Sequence, residues 1–254
     1  MSDAPALRIA SLVPSLTELL FALGLGPRVV ARTGFCIHPR EARSVPKVGG
    51  TKDPDLAMLR TLAPTHLVVN VDENRKEDVD AAREFVPNVV VTHPLAPVDN
   101  MALFATFGEA FECEARARAL AEAMEASLAQ VHATTRAIER ERVLYLIWRK
   151  PWMTVSRATY VSASLALVGW DSVPLASEAR YPRIDEDDSA WAEAQRILLS
   201  SEPYAFRERD VREMKERRGK PVALVDGEWT SWYGVRAIEG LQALATLRAA
   251  LARG

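Results

Sequence analysis

From Glu109 to Arg142 the chain carries neither glycine nor proline, and alanine, glutamate, arginine and leucine dominate with apolar residues at helical spacing. A stretch of that length without a breaker predicts one long helix, about 40 Å over residues 112–138 at a rise of 1.5 Å per residue. Such a rod divides the chain into an N-terminal and a C-terminal flank, each long enough to fold around its own sheet.

Both flanks alternate short β-like runs with helical segments. On the first, the strands are Arg8 to Val13, Val29 to Arg32, Thr65 to Asn70 and Asn88 to Thr92. Between them a helix starts at Ser15 in a capping-box pattern with Glu18 and ends at Gly24 or Gly26. A second runs from Asp55 to Leu62 behind Pro54, and a third from Val79 to Phe85. On the second flank, strands are expected at Val143 to Ile147, Arg196 to Ser200 and Val222 to Val225. Helices are expected at Tyr160 to Val168, Ser189 to Ala194, Phe206 to Glu216 and Val235 to Ala252. This β-α alternation predicts parallel, helix-covered sheets. The fold class is therefore α/β, with two Rossmann-like α/β lobes joined by one long backbone helix. The segments are 1–108, 109–142 and 143–254. Thr65 to Glu73 and Gln195 to Glu202 echo one another as a strand followed by an acid at its end.

With 48% apolar residues in 254, each flank can bury a core of its own. The net charge of -2, with acids and bases interspersed, leaves no footprint for nucleic acid. No apolar run is long enough for membrane insertion. Two distant cysteines, Cys36 and Cys113, make no disulfide framework. The N-terminus lacks a basic segment followed by an apolar run. The expected compartment is the cytoplasm if Met1 is the native start, and the periplasm if a signal peptide has been removed. Neither Gly-x-Ser-x-Gly nor His-Glu-x-x-His occurs, and the chain reads as a non-enzyme.

Three clusters stand at strand ends, where α/β sheets bind ligands. They are Leu146-Ile147-Trp148-Arg149-Lys150-Pro151-Trp152-Met153-Thr154, Ser200-Ser201-Glu202-Pro203-Tyr204-Ala205-Phe206 and Asp226-Gly227-Glu228-Trp229-Thr230-Ser231-Trp232-Tyr233-Gly234. The aromatic rings of Trp148, Trp152, Tyr204, Trp232 and Tyr233 can stack on a flat ligand or serve as core. Arg149, Arg180 and the neighbouring Tyr181 can pair with ligand carboxylates, or be solvated surface groups. Glu202 can hydrogen-bond a ligand or brace its loop. Ser15 and Thr51 offer polar groups near a helix start and a Gly-Gly turn, and Phe35 lies in the loop Gly34 to Pro39. In that loop Cys36 and His38 are two apart, a spacing open to a metal if further ligands come from elsewhere, with His38 also able to act as an axial ligand to a bound cofactor metal.

Ile9 to Glu18 with Gly24, Val45-Pro46-Lys47-Val48-Gly49-Gly50 and Leu62 to Val69 resemble the first-lobe signatures of the helical-backbone, or cluster A, substrate-binding proteins of ATP-driven importers. The later clusters, Ile147 to Val155, Leu199 to Phe206 and Val225 to Gly234, resemble its cobalamin-binding-like subgroup. The resemblance implies a bilobal binding protein with its ligand cleft between the lobes, one that needs no cofactor and takes cobalamin, haem, a ferric siderophore or a similar metal-containing ligand. It also implies an ABC permease as partner, docked through an exposed acid on each lobe, with Glu73, Glu77 and Glu208 as the choices here. The competing readings are a cytoplasmic protein reusing the scaffold for sensing, trafficking or a small-molecule reaction, and a direct zinc or manganese receptor using Cys36 and His38.

Overall fold

The computed structural model describes residues 6–253. They form two compact units. Of the described residues, the first comprises 6–94 together with Met101–Ala121 and Tyr233–Val235; the second comprises Leu95–Asn100, Glu122–Trp232 and 236–253.

The first unit contains β1 (Ile9–Ser11), α1 (Pro14–Ala22), β2 (Val29–Arg32), α2 (Leu56–Thr61), β3 (His66–Asn70), α3 (Lys76–Arg83), β4 (Asn88–Thr92), α4 (Asn100–Ala110) and the start of α5 (Glu114–Thr135). Its four strands are parallel in the order β2-β1-β3-β4. Leu67, Val68 and Val69 of β3 are all buried, as expected of a parallel strand covered on both faces. Ala10, Leu12, Ala31, Leu67 and Val69 pack with Leu59 of α2 and Val79 and Ala82 of α3 to make the core on one side of the sheet.

The ends of the helices depart from expectation in instructive ways. The capping box of Ser15 and Glu18 does not form, because Pro14 takes the first helical position and Val13 stands before it with no side-chain cap. The Thr17 hydroxyl instead donates to Ser11 Oγ at 2.8 Å and Val13 O at 3.0 Å, tying α1 to the end of β1. α1 stops at Gly24, whose φ of 77° suits glycine, and where a Cβ would lie 1.7 Å from Arg116 Nη1. That guanidinium caps the helix by donating to Leu23 O at 2.7 Å. α2 is capped by Asp55, which accepts from Met58 N at 2.9 Å, so Pro54 lies outside the helix rather than opening it.

The single helix expected over 109–142 is broken and shorter. Glu109 belongs to α4, the chain turns at Phe111 to Cys113 with Glu112 at φ 54°, and α5 then runs 22 residues, about 33 Å at 1.5 Å per residue. Phe111 closes α4, its N–H still donating to Phe107 O at 3.1 Å, and its ring is buried against Phe107 and His66 with centroids 5.5 and 5.4 Å away.

The second unit contains the rest of α5, then β5 (Glu141–Leu146), β6 (Trp152–Met153), α6 (Tyr160–Leu167), β7 (Trp170–Ser172), β8 (Arg183–Ile184), α7 (Ser189–Glu193), β9 (Arg196–Ser200), α8 (Glu208–Arg218), β10 (Val222–Val225), α9 (Glu228–Ser231) and α10 (Arg236–Arg253). Its parallel sheet runs β10-β9-β5-β7, and β6 and β8 form a separate antiparallel ribbon. Numbered within each four-stranded sheet, both have the order 2-1-3-4. In each, the order reverses between the first and third strands, β1 and β3 or β5 and β9, and a crevice at the carboxyl ends of such a pair is the usual ligand position in open α/β sheets.

Candidate ligand-binding site

At the carboxyl ends of β5 and β9 the second unit has a cavity of about 390 Å³. Its floor is Tyr145, a fully buried side chain of β5, whose hydroxyl is 2.9 Å from Ser200 Oγ and 2.7 Å from Thr230 Oγ1. Burial pushes the Tyr145 phenol up to about 12, so it stays neutral and serves as a fixed hydrogen-bonding group.

The walls come from the loops. After β5 the chain folds back on itself, Ile147 N donating to Met153 O at 3.0 Å and Met153 N to Trp148 O at 3.2 Å, which leaves Trp148 on the cavity rim at 39% exposure. Tyr204 meets the Trp148 ring edge to face at 5.7 Å and holds it in place. Tyr181, 40% exposed, forms another part of the lining; its segment is fastened by Thr154 N to Pro182 O and Ser156 N to Arg180 O. Met153, Val155 and Val161 supply the apolar remainder.

Glu202 enters this lining from the loop after β9. Its Oε1 accepts from Ser231 Oγ at 2.6 Å, and its backbone NH donates to Ser200 Oγ at 3.3 Å. Gly227 opposite is required by space, since a Cβ there would stand 2.3 Å from Glu202 Cγ. Burial raises the Glu202 carboxyl above the usual range, and Asp226 and Glu228 add to the rise against the Ser231 hydrogen bond and Arg236.

Other residues expected at the site lie elsewhere. Trp152 is a core residue, stacked on Phe206 at 6.3 Å and edge-on to Trp191 at 5.7 Å, with its Nε1 donating to Glu186 at 2.8 Å. The chain reversal after Trp148 sends the two tryptophans to different surroundings. Arg149 turns to α8, where Asp210 at 3.1 Å and Glu213 hold it and raise its pKa, so it is no free anchor for a ligand acid. Arg180 is outside the cavity lining, and Trp232 packs under Arg236, whose guanidinium carbon is 5.3 Å from the ring centre.

In the first unit, the equivalent crevice between β1 and β3 is filled. Asn74 is buried there, its Nδ2 donating to Leu12 O at 3.3 Å and Thr51 O at 3.0 Å, while its Oδ1 accepts from Asn70 N at 2.9 Å. The buried Tyr233 hydroxyl donates to Glu73 at 2.6 Å, and Ser15 is buried in the first turn of α1. Burial first, then the negative charge of Glu73, raises this phenol well above its ordinary value. Phe35 is 64% exposed in the loop after β2, with half-buried His38 near it.

The Cys36 thiol is fully buried, 3.2 Å from Thr33 Oγ1, and burial raises its pKa. Among the described residues no three acid, cysteine or histidine side chains converge to hold a metal with it.

Tyr145, Ser200 and Ser231 are the lining groups that strand-end reasoning passes over. The signal available for Ser200 is a hydroxyl closing the otherwise apolar run Ile197 to Leu199.

Against known proteins, the vitamin B12-binding protein of Pectobacterium carotovorum is 21% identical over 252 residues, covering 97% of this chain and 90% of the relative. That of Vibrio parahaemolyticus is 22% identical over 184 residues, 72% of this chain and 67% of the relative. Among solved structures, the periplasmic vitamin B12 binding protein of Vibrio cholerae superposes with a TM-score of 0.84 at 18% identity, covering 98% of both chains. A periplasmic haem-binding protein from a Roseiflexus species reaches 0.82 at 20% identity, covering 97% of this chain and 99% of its own. At such identities the superpositions establish the fold and leave the ligand open. The signature of the periplasmic binding proteins matches residues 9–218, and the chain belongs to that family.

Proposed function

We propose that this chain is the solute-binding component of an ATP-driven importer, that it works in the periplasm, and that its solute is a corrinoid or a related tetrapyrrole. The observation that carries the reading is the cavity at the ends of β5 and β9, with Trp148 and Tyr181 on its wall and Glu202 and Tyr145 as fixed polar groups. Aromatic walls with few, well-placed polar groups suit a large, flat, largely apolar ligand. The family supports the transport role, and full-length relatives named for vitamin B12 support the ligand class. The chain acts by holding its ligand. Tyr145 is kept neutral and hydrogen-bonded, Cys36 is sealed in the core, and neither is poised as a nucleophile.

Titrating the purified protein with cyanocobalamin, haemin and a ferric siderophore, read by absorbance and calorimetry, tests this. Saturable 1:1 binding of the corrinoid or the haem is expected. Silence towards all three sinks the ligand class.

A further inference from the structure

We infer that Glu202 sets the choice of ligand in the second unit's cavity, accepting hydrogen bonds from an amide or amine edge and turning away ligands that present carboxylates there. The inference rests on the importer reading above and adds the residue that discriminates within the ligand class.

Three observations carry it. First, Glu202 is the one carboxylate among the described residues that line the cavity, and none of those residues is lysine, arginine or histidine. A ligand carboxylate placed there finds no cation. Second, the nearby charges do not supply one. Arg149 is spent on Asp210 and Glu213, and Arg236 is paired with Glu228 at 3.0 Å, while Asp226 adds a further acid beside Glu202. Third, the carboxylate is held in place rather than free to swing out. Ser231 fixes Oε1, Ser200 engages the Glu202 backbone, and the missing side chain of Gly227 makes the room in which its Cγ lies. A fixed acceptor in a largely apolar cavity discriminates strongly, because a ligand without a donor leaves it desolvated and unpaired. A ligand that brings its own negative charge adds like-charge repulsion.

Two corrinoids with the same cobalt macrocycle separate the possibilities: cobinamide, whose rim is amidated, and cobyrinic acid, whose rim carries free carboxylates. Dissociation constants are measured for wild type and Glu202→Gln at about pH 8, well above the ordinary carboxyl range. Wild type should favour cobinamide by roughly tenfold or more, the scale of one hydrogen bond to a charged group. Glu202→Gln, which keeps the shape and removes the charge, should lose most of that preference. Equal binding of the two by wild type, or an undiminished preference in the variant, overturns the assignment of Glu202 and leaves the importer reading standing. Failure of wild type to bind either one overturns the inference and removes corrinoids as the solute, while the haemin titration above decides separately whether the tetrapyrrole reading stands. Should Glu202→Gln not fold, Glu202→Ala takes its place, since it removes the carboxylate from the cavity wall while the backbone bond to Ser200 can persist; an undiminished preference for cobinamide overturns the inference.

Discussion

Trp152 packs against Trp191 and Phe206 inside the second unit, whereas Trp148, four residues earlier, stands on the cavity rim. Truncating Trp152 to alanine opens a hole in a packed core and should cost about 3–5 kcal/mol, seen as a large drop in urea midpoint. Trp148→Ala should shift that midpoint by about 1 kcal/mol or less and weaken ligand binding by roughly tenfold or more, as loss of an aromatic anchor does. Urea melts and titrations on the two variants side by side check this, and unfolding of the Trp148 variant would move that ring into the core. Glu202 gives a pH-dependent counterpart. Its carboxyl is harder to ionise in the folded protein, so folding stability is lost as pH rises from the unfolded carboxylate value of about 4.3 through the raised folded value. Below that window the group is protonated in both states and contributes nothing. Glu202→Gln removes the loss, so denaturation across pH should show the variant gaining on wild type through this window and holding a constant lead above it. A deficit that grows with pH would mean that the ionised carboxylate stabilises the fold.

The α4–α5 break shows how an element boundary can be set by packing alone. Glu112 adopts φ 54° without being glycine, a conformation that costs an ordinary residue roughly 1 kcal/mol. Phe111, buried against His66 and Phe107, compensates. Glu112→Gly should therefore raise stability or leave it level, the relief of strain being set against roughly 0.5–1 kcal/mol of added chain freedom, while Glu112→Val should lower it by more than 1 kcal/mol or so. Thermal melts rank the three, and a valine variant as stable as wild type would refute the strained turn. The same contrast explains what was legible in the sequence. β9, β10 and most of β3 could be read to within a residue, because a parallel strand buried on both faces appears as a bounded apolar run, and β4, a part-exposed edge strand, because Val89 to Val91 stand between Asn88 and Thr92. The turn at Phe111 to Cys113 was not, since no breaker residue marks it. The β6 and β8 ribbon and β7 were missed because two or three residues carry no periodicity. At the cavity, Trp148 and Glu202 could be placed at strand ends, but Trp152 could not be told from Trp148 by spacing. Tyr145 looked like any strand aromatic until Ser200 and Thr230 met its hydroxyl.

Across the whole molecule the sheet order 2-1-3-4 occurs twice, so β3 with α3 corresponds to β9 with α8. The strand-then-acid echo of Thr65 to Glu73 with Gln195 to Glu202 is thus a topological repeat. It puts two further acids at matching places: Glu77 in the first turn of α3 and Glu208 in the first turn of α8. Both are exposed, and both stand where the helix dipole favours a negative charge. Glu73, by contrast, accepts the Tyr233 hydroxyl and is committed within its own unit. An importer partner that recognised one acid on each unit would find Glu77 and Glu208 accessible at equivalent turns. Reversing both, Glu77→Lys with Glu208→Lys, leaves the cavity at the ends of β5 and β9 untouched, so ligand affinity should stay within about twofold. Stimulation of ATP hydrolysis by the proposed importer partner, measured in reconstituted vesicles, should fall by roughly tenfold or more, because each reversal would replace attraction with repulsion where that partner docks. Each single reversal should give a partial loss and a weaker dependence on salt. Full stimulation by the double variant would place docking on other residues and leave the two acids as helix-start charges only.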